Sequence, residues 1–434
     1  MNWTVEPARR LIGEVVVPGD KSISHRTVLF ASIAAGESVV EGLADGEDVA
    51  SSVAAMRALG AEIDHDGTDI RILGRGLDGL HKADRPIDCG NSGTTMRLLA
   101  GLLAGQGFPS TLTGDASLRR RPMRRVAEPL LAMGASVQTS RDGTAPLEIS
   151  GSGRLRAITF RPEVASAQVK SCVLLAALYA DGPTTVVERV VSRDHSERLL
   201  AAMGANISIE ADRGGARVTI DPGCRLGAVG GRIPGDTSSA AYWLVGATLL
   251  EGSRLLLPGV GLNPTRAAMV DLMVDWGADI AVERGNDWCG EPVVDLRIRG
   301  VGAALTGGVI DADMVPGLID ELPLIAALGA STTDGVEIRG AAELRTKESD
   351  RIATMAAALR ALGVDVDEYP DGLAVAGGQT LGSGHVDTAG DHRIGLAMAA
   401  VALAARGPVT IENAETMAVS YPGFATALES VVQR

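Results

Sequence analysis

Apolar and polar positions along the chain fall into two alternating periods. Short stretches with every second position apolar (WTVEP, IRILGRG, LEISGSG, VTIDPG, LRIRGVG and LAVAGG) begin near residues 3, 70, 147, 218, 296 and 373, and most run into glycine. Period two with glycine punctuation predicts paired strands. Between them lie helical patterns that close on an apolar-Gly-Ala-x-apolar ending: LGAEI at 59, MGASV at 133, MGANI at 203, WGADI at 276 and, with valine for alanine, LGVDV at 362. The spacing is roughly 70 to 86 residues. Self-similarity of this kind marks repeated supersecondary units, and six β-β-α-β-α units fill the chain.

The two helices of a unit differ in pattern. The second is amphipathic, as with Val49, Val53, Met56 and Leu59 or Ile352, Met355, Leu359 and Leu362, so one stripe faces a sheet and the rest meets water. The first is apolar or small nearly all round, as in MRLLAGLLAG (96–105) and VKSCVLLAALYA (169–180), which places it inside. A chain of 434 residues exceeds one core. Three units per domain give two α/β globules with helices in the middle and sheets around them.

Each inner helix opens on a polar cluster: PGDKSISHR (18–26), DCGNSGTTMR (88–97), SAQVKS (166–171), PGDTSSAA (234–241), DELP (320–323) and AGDHR (389–393). If these helices run parallel, their unpaired N–H groups and positive dipole ends converge into an anion-binding surface. That matters because the chain itself is acidic, 54 Asp and Glu against 40 Lys and Arg, a net charge of −14 that argues against general nucleic-acid binding. Aromatics at 3% offer few stacking platforms, so recognition is expected to be polar and ionic. Cys89, Cys172, Cys224 and Cys289 are widely spaced, without CxxC or Cys/His ligand spacing, and the six histidines form no HExxH pair. Neither a metal, a disulfide framework nor a nucleotide cofactor is expected. No apolar run suits a signal peptide or a membrane span, so a cytoplasmic protein is expected.

Only four bases are lysine: Lys21, Lys82, Lys170 and Lys347. In an arginine-writing chain a lysine can be kept as a compact ammonium, or stand on a solvated face by chance. GDASLRRRPMRR (114–125) holds five arginines, of which Arg121, extended before Pro122, is the candidate to fork a carboxylate or phosphate; the others read as a solvated helix start. RTKESDR (345–351) reads equally as a functional cluster or as a capping box with Thr346 or Ser349 as cap. Asp320 and Glu321 open a helix, where acids are ordinary dipole partners, and only one of them is expected to point toward a catalytic neighbour. His25 and His392, each beside an arginine, read as ligands or as caps.

PGDKSISHR, GNSGTTMR, GDASLRRRPM, KESDR and GDHR, in this order over the full length, resemble the 5-enolpyruvylshikimate-3-phosphate synthase family. The resemblance implies two inside-out α/β barrel domains, 1–17 with 234–434 and 18–233, crossed twice by the chain. It implies transfer of the enolpyruvyl group of phosphoenolpyruvate to the 5-hydroxyl of shikimate 3-phosphate with release of phosphate, the sixth step of the shikimate pathway, by a monomer acting on small anionic substrates. Such a reaction needs an acid, a base and charge clamps. Carried over by position, Lys21, Ser22, Arg26, Ser166, Ala167, Gln168 and Arg193 match shikimate 3-phosphate ligands, and Lys21, Gly93, Arg121, Gln168, Arg351 and Arg393 match phosphoenolpyruvate ligands. Asp320 matches the proton acceptor from the 5-hydroxyl and a shikimate 3-phosphate contact. Glu348 matches the proton donor to the methylene, and Lys347 the base beside it that contacts shikimate 3-phosphate. No role transfers to Lys170. Ser420, before Tyr421 and Pro422, stands where many members carry lysine, and Gly93 stands where a methyl group accompanies glyphosate tolerance in some members; hydrogen there implies room for the inhibitor.

Two other readings fit the repeat. The related UDP-N-acetylglucosamine enolpyruvyl transferases carry a cysteine on the loop corresponding to GDASLRRRP and a lysine-asparagine motif near the N-terminus; both are absent here. A non-catalytic anion-binding scaffold would leave Asp320 and Glu348 no reason to approach one another.

Overall fold

A computed structural model of the chain describes residues 1–151 and 153–434. They form two compact units: Gly19–Ile233 with Asp287–Glu291, and Met1–Pro18 with Pro234–Asn286 and Pro292–Arg434. The turn of LEISGSG falls partly outside the described residues.

The first unit contains α1 (Lys21–Ser32), α2 (Glu47–Ala58), α3 (Gly93–Ala104), α4 (Arg124–Ala132), α5 (Ala167–Ala177) and α6 (His195–Ala202). Its sheets are built alike. Ala35–Glu41, Ser110–Thr113 and Thr184–Glu188 each pair antiparallel with one strand of a hairpin and parallel with a short strand on the other side. These short parallel strands, Gly230–Arg232, Ile87–Asp88 and Thr159–Phe160, are a fourth strand per repeat. At two or three residues they are too brief to leave a period in the sequence.

The second unit contains α7 (Thr237–Leu249), α8 (Ala268–Asp275), α9 (Val315–Leu318), α10 (Leu322–Gly329), α11 (Arg351–Ala361), α12 (His392–Ala402) and α13 (Phe424–Val431). Here both chain ends are used. Arg10–Glu14 lies between Arg254–Gly261, which it pairs in parallel, and Val432–Gln433. Trp3–Val5 completes the last sheet by pairing antiparallel with Val409–Glu412. The strand just ahead of α1 therefore serves the unit of α7, and Gly230–Arg232, just ahead of α7, serves the unit of α1.

The inner helices are those with the all-round apolar pattern. Every residue of α7, α10 and α12 is buried, as is all of α3 except Thr94. In one unit α3 packs on α1 and α5; in the other α12 packs on α7 and α10. α3 and α5 come so close that a Cβ built on Gly101 would stand 2.1 Å from the Cys172 carbonyl oxygen. The amphipathic α2 and α11 bury the predicted stripes, with Val49, Val53, Met56, Ile352, Met355 and Leu359 all buried.

Candidate active site

Helix starts carry the site because of how they are capped. Asp20, Ser92 and Ser166 cap α1, α3 and α5 through side-chain oxygens that accept from the backbone N–H three residues on. The residues that follow are thus fixed in the first turn, pointing where the helix dipole is positive. Asp350 does the same for α11, and Asp391 caps α12 by accepting from the N–H two residues on, that of Arg393. The cap of α11 is therefore Asp350 rather than Thr346 or Ser349, and His25 and His392 lie inside their helices rather than capping them. A carboxylate at the cap accepts the N–H bond and also carries the negative charge that pairs with a guanidinium, as Asp391 does with Arg351 and Asp350 with Arg345.

In the unit of α1, the first turns of α1, α3 and α5 are tied to one another. Lys21 Nζ, half-buried, donates to Asp48 Oδ2 at 3.2 Å. His25 Nδ1 and Ser52 Oγ are 2.8 Å apart, and Ser52 continues to Thr95 Oγ1 at 2.7 Å. Burial pushes the His25 imidazole down to about 3, against the pull of Asp48 and with help from Lys21 and Arg26, so it is neutral. Arg26 is buried and donates from Nε to Ser196 Oγ, and from its terminal nitrogens to Ser22 O and Ser171 Oγ. Three of its five N–H groups are thus committed inside the fold, and burial lowers it to about 10 despite Glu197 and Asp20.

Gly93 opens α3 with no side chain to fill the space before it; a Cβ there would stand 2.8 Å from an Arg97 terminal nitrogen and 3.4 Å from one of Arg121. Arg121 is extended (φ −74°, ψ 144°) and donates to Asn91 Oδ1 at 2.6 Å, while Arg119, Arg120 and Arg124 are exposed. Gln168 is clamped on both sides, accepting from Arg97 and donating to Thr94 Oγ1 at 2.9 Å. Ser166, Ala167 and Arg193 are half-buried. Arg193 lies near enough to Arg26 for each positive charge to oppose the other.

In the unit of α7, one guanidinium gathers three carboxylates. Arg351, 2% exposed, donates from Nε to Asp391 Oδ2 at 2.8 Å and from one terminal nitrogen to Glu348 Oε2 at 2.6 Å, while its other stands 3.9 Å from Asp320 Oδ1. Burial alone would lower Arg351, but Asp391 and Glu348 hold it above its ordinary value. Burial would likewise raise Asp391, and Arg351 overrides it. Arg393 donates to the Asp320 carbonyl at 3.0 Å and approaches Asp320 Oδ2 at 3.4 Å; burial is outweighed by Asp320, Tyr242 and Glu321, and its pKa rises. Lys347 pairs with Glu343 Oε1 at 2.8 Å.

Arg266 was not singled out from the sequence, yet it is the hub of this unit. Buried, it donates to Ser238 Oγ at 2.6 Å and lies 3.6 Å from both Asp320 Oδ2 and Glu321 Oε1. Both acids of DELP therefore reach one guanidinium, and of the two only Asp320 also approaches Arg351 and Arg393. Asp48, Arg97 and Asp391 were also missed. The available signal was an ion-pairing residue in a helix-opening string, present in GDHR for Asp391 and in TTMR for Arg97. Ser420 follows a 3₁₀ turn, and Tyr421 behind it is a core residue whose hydroxyl accepts from Trp243 Nε1. Among the described residues no group of three or more His, Cys, Asp or Glu could hold a metal ion, and no helix is long and apolar enough to cross a membrane.

The fold is shared with solved structures. The enolpyruvyl transferase NikO from Streptomyces tendae matches with a TM-score of 0.78 at 21% identity, over 99% of this chain and 96% of that one. Within that fold, EPSP synthase from Acinetobacter baumannii matches with a TM-score of 0.88 at 38% identity, covering 99% of this chain and 98% of its own. The 3-phosphoshikimate 1-carboxyvinyltransferase of Gloeobacter violaceus is 49% identical over 435 residues, covering 100% of this chain and 99% of its own. The family model EPSP synthase (3-phosphoshikimate 1-carboxyvinyltransferase) matches residues 5–428. The chain belongs to the EPSP synthase family, transferases of the shikimate pathway that leads to aromatic amino acids.

Proposed function

We propose that the chain carries out its family's reaction, moving the enolpyruvyl group of phosphoenolpyruvate to the 5-hydroxyl of shikimate 3-phosphate: Asp320 takes the hydroxyl proton and Glu348 supplies a proton to the methylene carbon to give a tetrahedral intermediate, whose methyl group then gives a proton back as the bond to phosphate breaks. The observation that carries this reading is the arrangement at Arg351, which holds Glu348 at one terminal nitrogen and faces Asp320 with the other. A group that accepts a proton and a group that donates one must both stand near the reacting atoms, and a shared guanidinium keeps two acids close without mutual repulsion.

Arg121, Arg351 and Arg393 clamp phosphoenolpyruvate and disperse charge on the departing phosphate, with Gly93 and Gln168 against it. Lys21, Ser22, Arg26, Ser166, Ala167, Gln168, Arg193 and Lys347 hold shikimate 3-phosphate, Ala167 through its backbone alone. Lys21 serves both substrates. Neither proton transfer nor phosphate elimination requires a metal or an organic cofactor in this scheme. The protein acts in the cytoplasm as a monomer.

Phosphate release measured with both substrates tests the reading. Turnover that requires shikimate 3-phosphate, with none when UDP-N-acetylglucosamine replaces it, is expected; the reverse preference, or no turnover with either, overturns it. Glyphosate at millimolar concentration is expected to suppress that turnover, since Gly93 adds no methyl group to the crowding there, and an unchanged rate would refute that expectation.

A further inference from the structure

Lys170 has no part in the assignments above, yet it is among the most deeply buried charges in the chain, 1% exposed on α5. Its ammonium stands 2.7 Å from Glu188 Oε2 and 2.7 Å from Glu197 Oε1, and donates to Ser192 O at 3.2 Å. Glu188 in turn accepts from the Ser192 backbone N–H at 3.4 Å and from its hydroxyl. Ser192 is thus held by its carbonyl, its N–H and its Oγ, all through one ammonium and one carboxylate.

The residue after Ser192 is Arg193. On its other side the chain enters α6, where Ser196 Oγ accepts from Arg26 Nε at 2.7 Å and lies 2.6 Å from Ser171 Oγ, next to Lys170. The segment carrying Arg193 is therefore pinned at both ends to α5. Burial alone would lower the pKa of Lys170, but Glu197 and Glu188 reverse this and hold it above the ordinary lysine value. A buried ionic cluster adds little stability over apolar packing of the same volume, so stability alone does not account for this one.

We propose that Lys170 is a positioning residue that sets Arg193 beside Arg26 to receive the phosphate of shikimate 3-phosphate. The proposal rests on the reading that Arg193 contacts that phosphate. It requires Lys170 to act on the phosphorylated ligand and not on the ring.

Calorimetric titration of the full-length protein with shikimate 3-phosphate and with shikimate, which lacks the phosphate, separates the two layers. Arg193→Ala is expected to weaken shikimate 3-phosphate about 10- to 100-fold, the range for one hydrogen bond to a charged group, and to leave shikimate unchanged. Lys170→Met is expected to give the same pattern, and the double variant to lose no more than Arg193→Ala alone, because both changes remove one interaction. If Arg193→Ala leaves shikimate 3-phosphate affinity intact, the underlying reading of Arg193 fails. If Arg193→Ala weakens it while Lys170→Met does not, or if Lys170→Met weakens both ligands alike, the positioning role is overturned. Should Lys170→Met fail to fold with two carboxylates stranded, Ser192→Ala loosens the same segment while leaving the buried charges paired. It is expected to weaken shikimate 3-phosphate selectively, and wild-type affinity there would equally overturn the proposal.

Discussion

At the scale of single residues, the chemistry depends on charges held by other charges. Asp320→Asn and Glu348→Gln keep the shape of the carboxyl groups at Arg351 while removing their proton traffic, so turnover is expected to fall about 10²- to 10⁴-fold. Circular dichroism should remain native, and turnover within a few-fold of wild type would remove both residues from the mechanism. His25 gives a separate test. Its value is about 3 in the fold against 6.5 when unfolded, so between those limits the unfolded chain binds the extra proton. Stability therefore falls as pH drops through this window, by up to about 1.4 kcal/mol per pH unit from this residue. Urea unfolding at pH 7 and pH 5 is expected to give a smaller difference for His25→Asn than for wild type. Motifs made most of these residues legible, since Lys21, Arg121, Glu348 and Arg393 stand in strings that resemble a known family. Arg266 was not legible: it is a lone arginine in NPTR, and its meaning depends on Ser238 and Glu321, 28 and 55 residues away in sequence.

Elements behave as their periods dictate. The all-round apolar segments became the inner helices because no face of them gains from water. What the period could not convey is how near two such helices come. Gly101 permits the approach of α3 to α5, and Gly101→Ala drives a methyl group toward the Cys172 carbonyl. A loss of about 1–3 kcal/mol or more is expected, the range for overpacking, read as a lower urea midpoint. Gly107→Ala, where a Cβ meets nothing within 4 Å, is the control and should stay within about 0.5 kcal/mol of wild type. Equal effects of the two would show that the helix contact is slack.

For the whole molecule, connectivity is the decisive feature. Val5 and Leu11 are buried, and their strands pair with residues from Arg254 to Gln433. Trp3 also meets Phe424, which packs with Tyr242, Trp243 and Tyr421. Deleting residues 1–14 removes two strands and one wall of this ring cluster. The near-ultraviolet circular dichroism of the aromatic side chains is expected to collapse, and a native spectrum would show that the N-terminal strands are dispensable. Closing such long loops before any contact rewards them also predicts slow folding.

By itself, the sequence determined the repeat, the inner and outer character of each helix, and the strings that identify the family. These are local properties, written in periods of two and 3.6 and in runs of a few residues. The tertiary structure decided the rest: the short parallel strands, the exchange of Arg10–Glu14 and Gly230–Arg232 between units, the carboxylate caps, and which charges meet. Pairing energies fall off within a few ångströms, while the partners stand tens to hundreds of residues apart, as Lys170 does from Glu188 and Glu197, or Trp3 from Ile411. No local pattern encodes that distance, because it is set by how whole units pack.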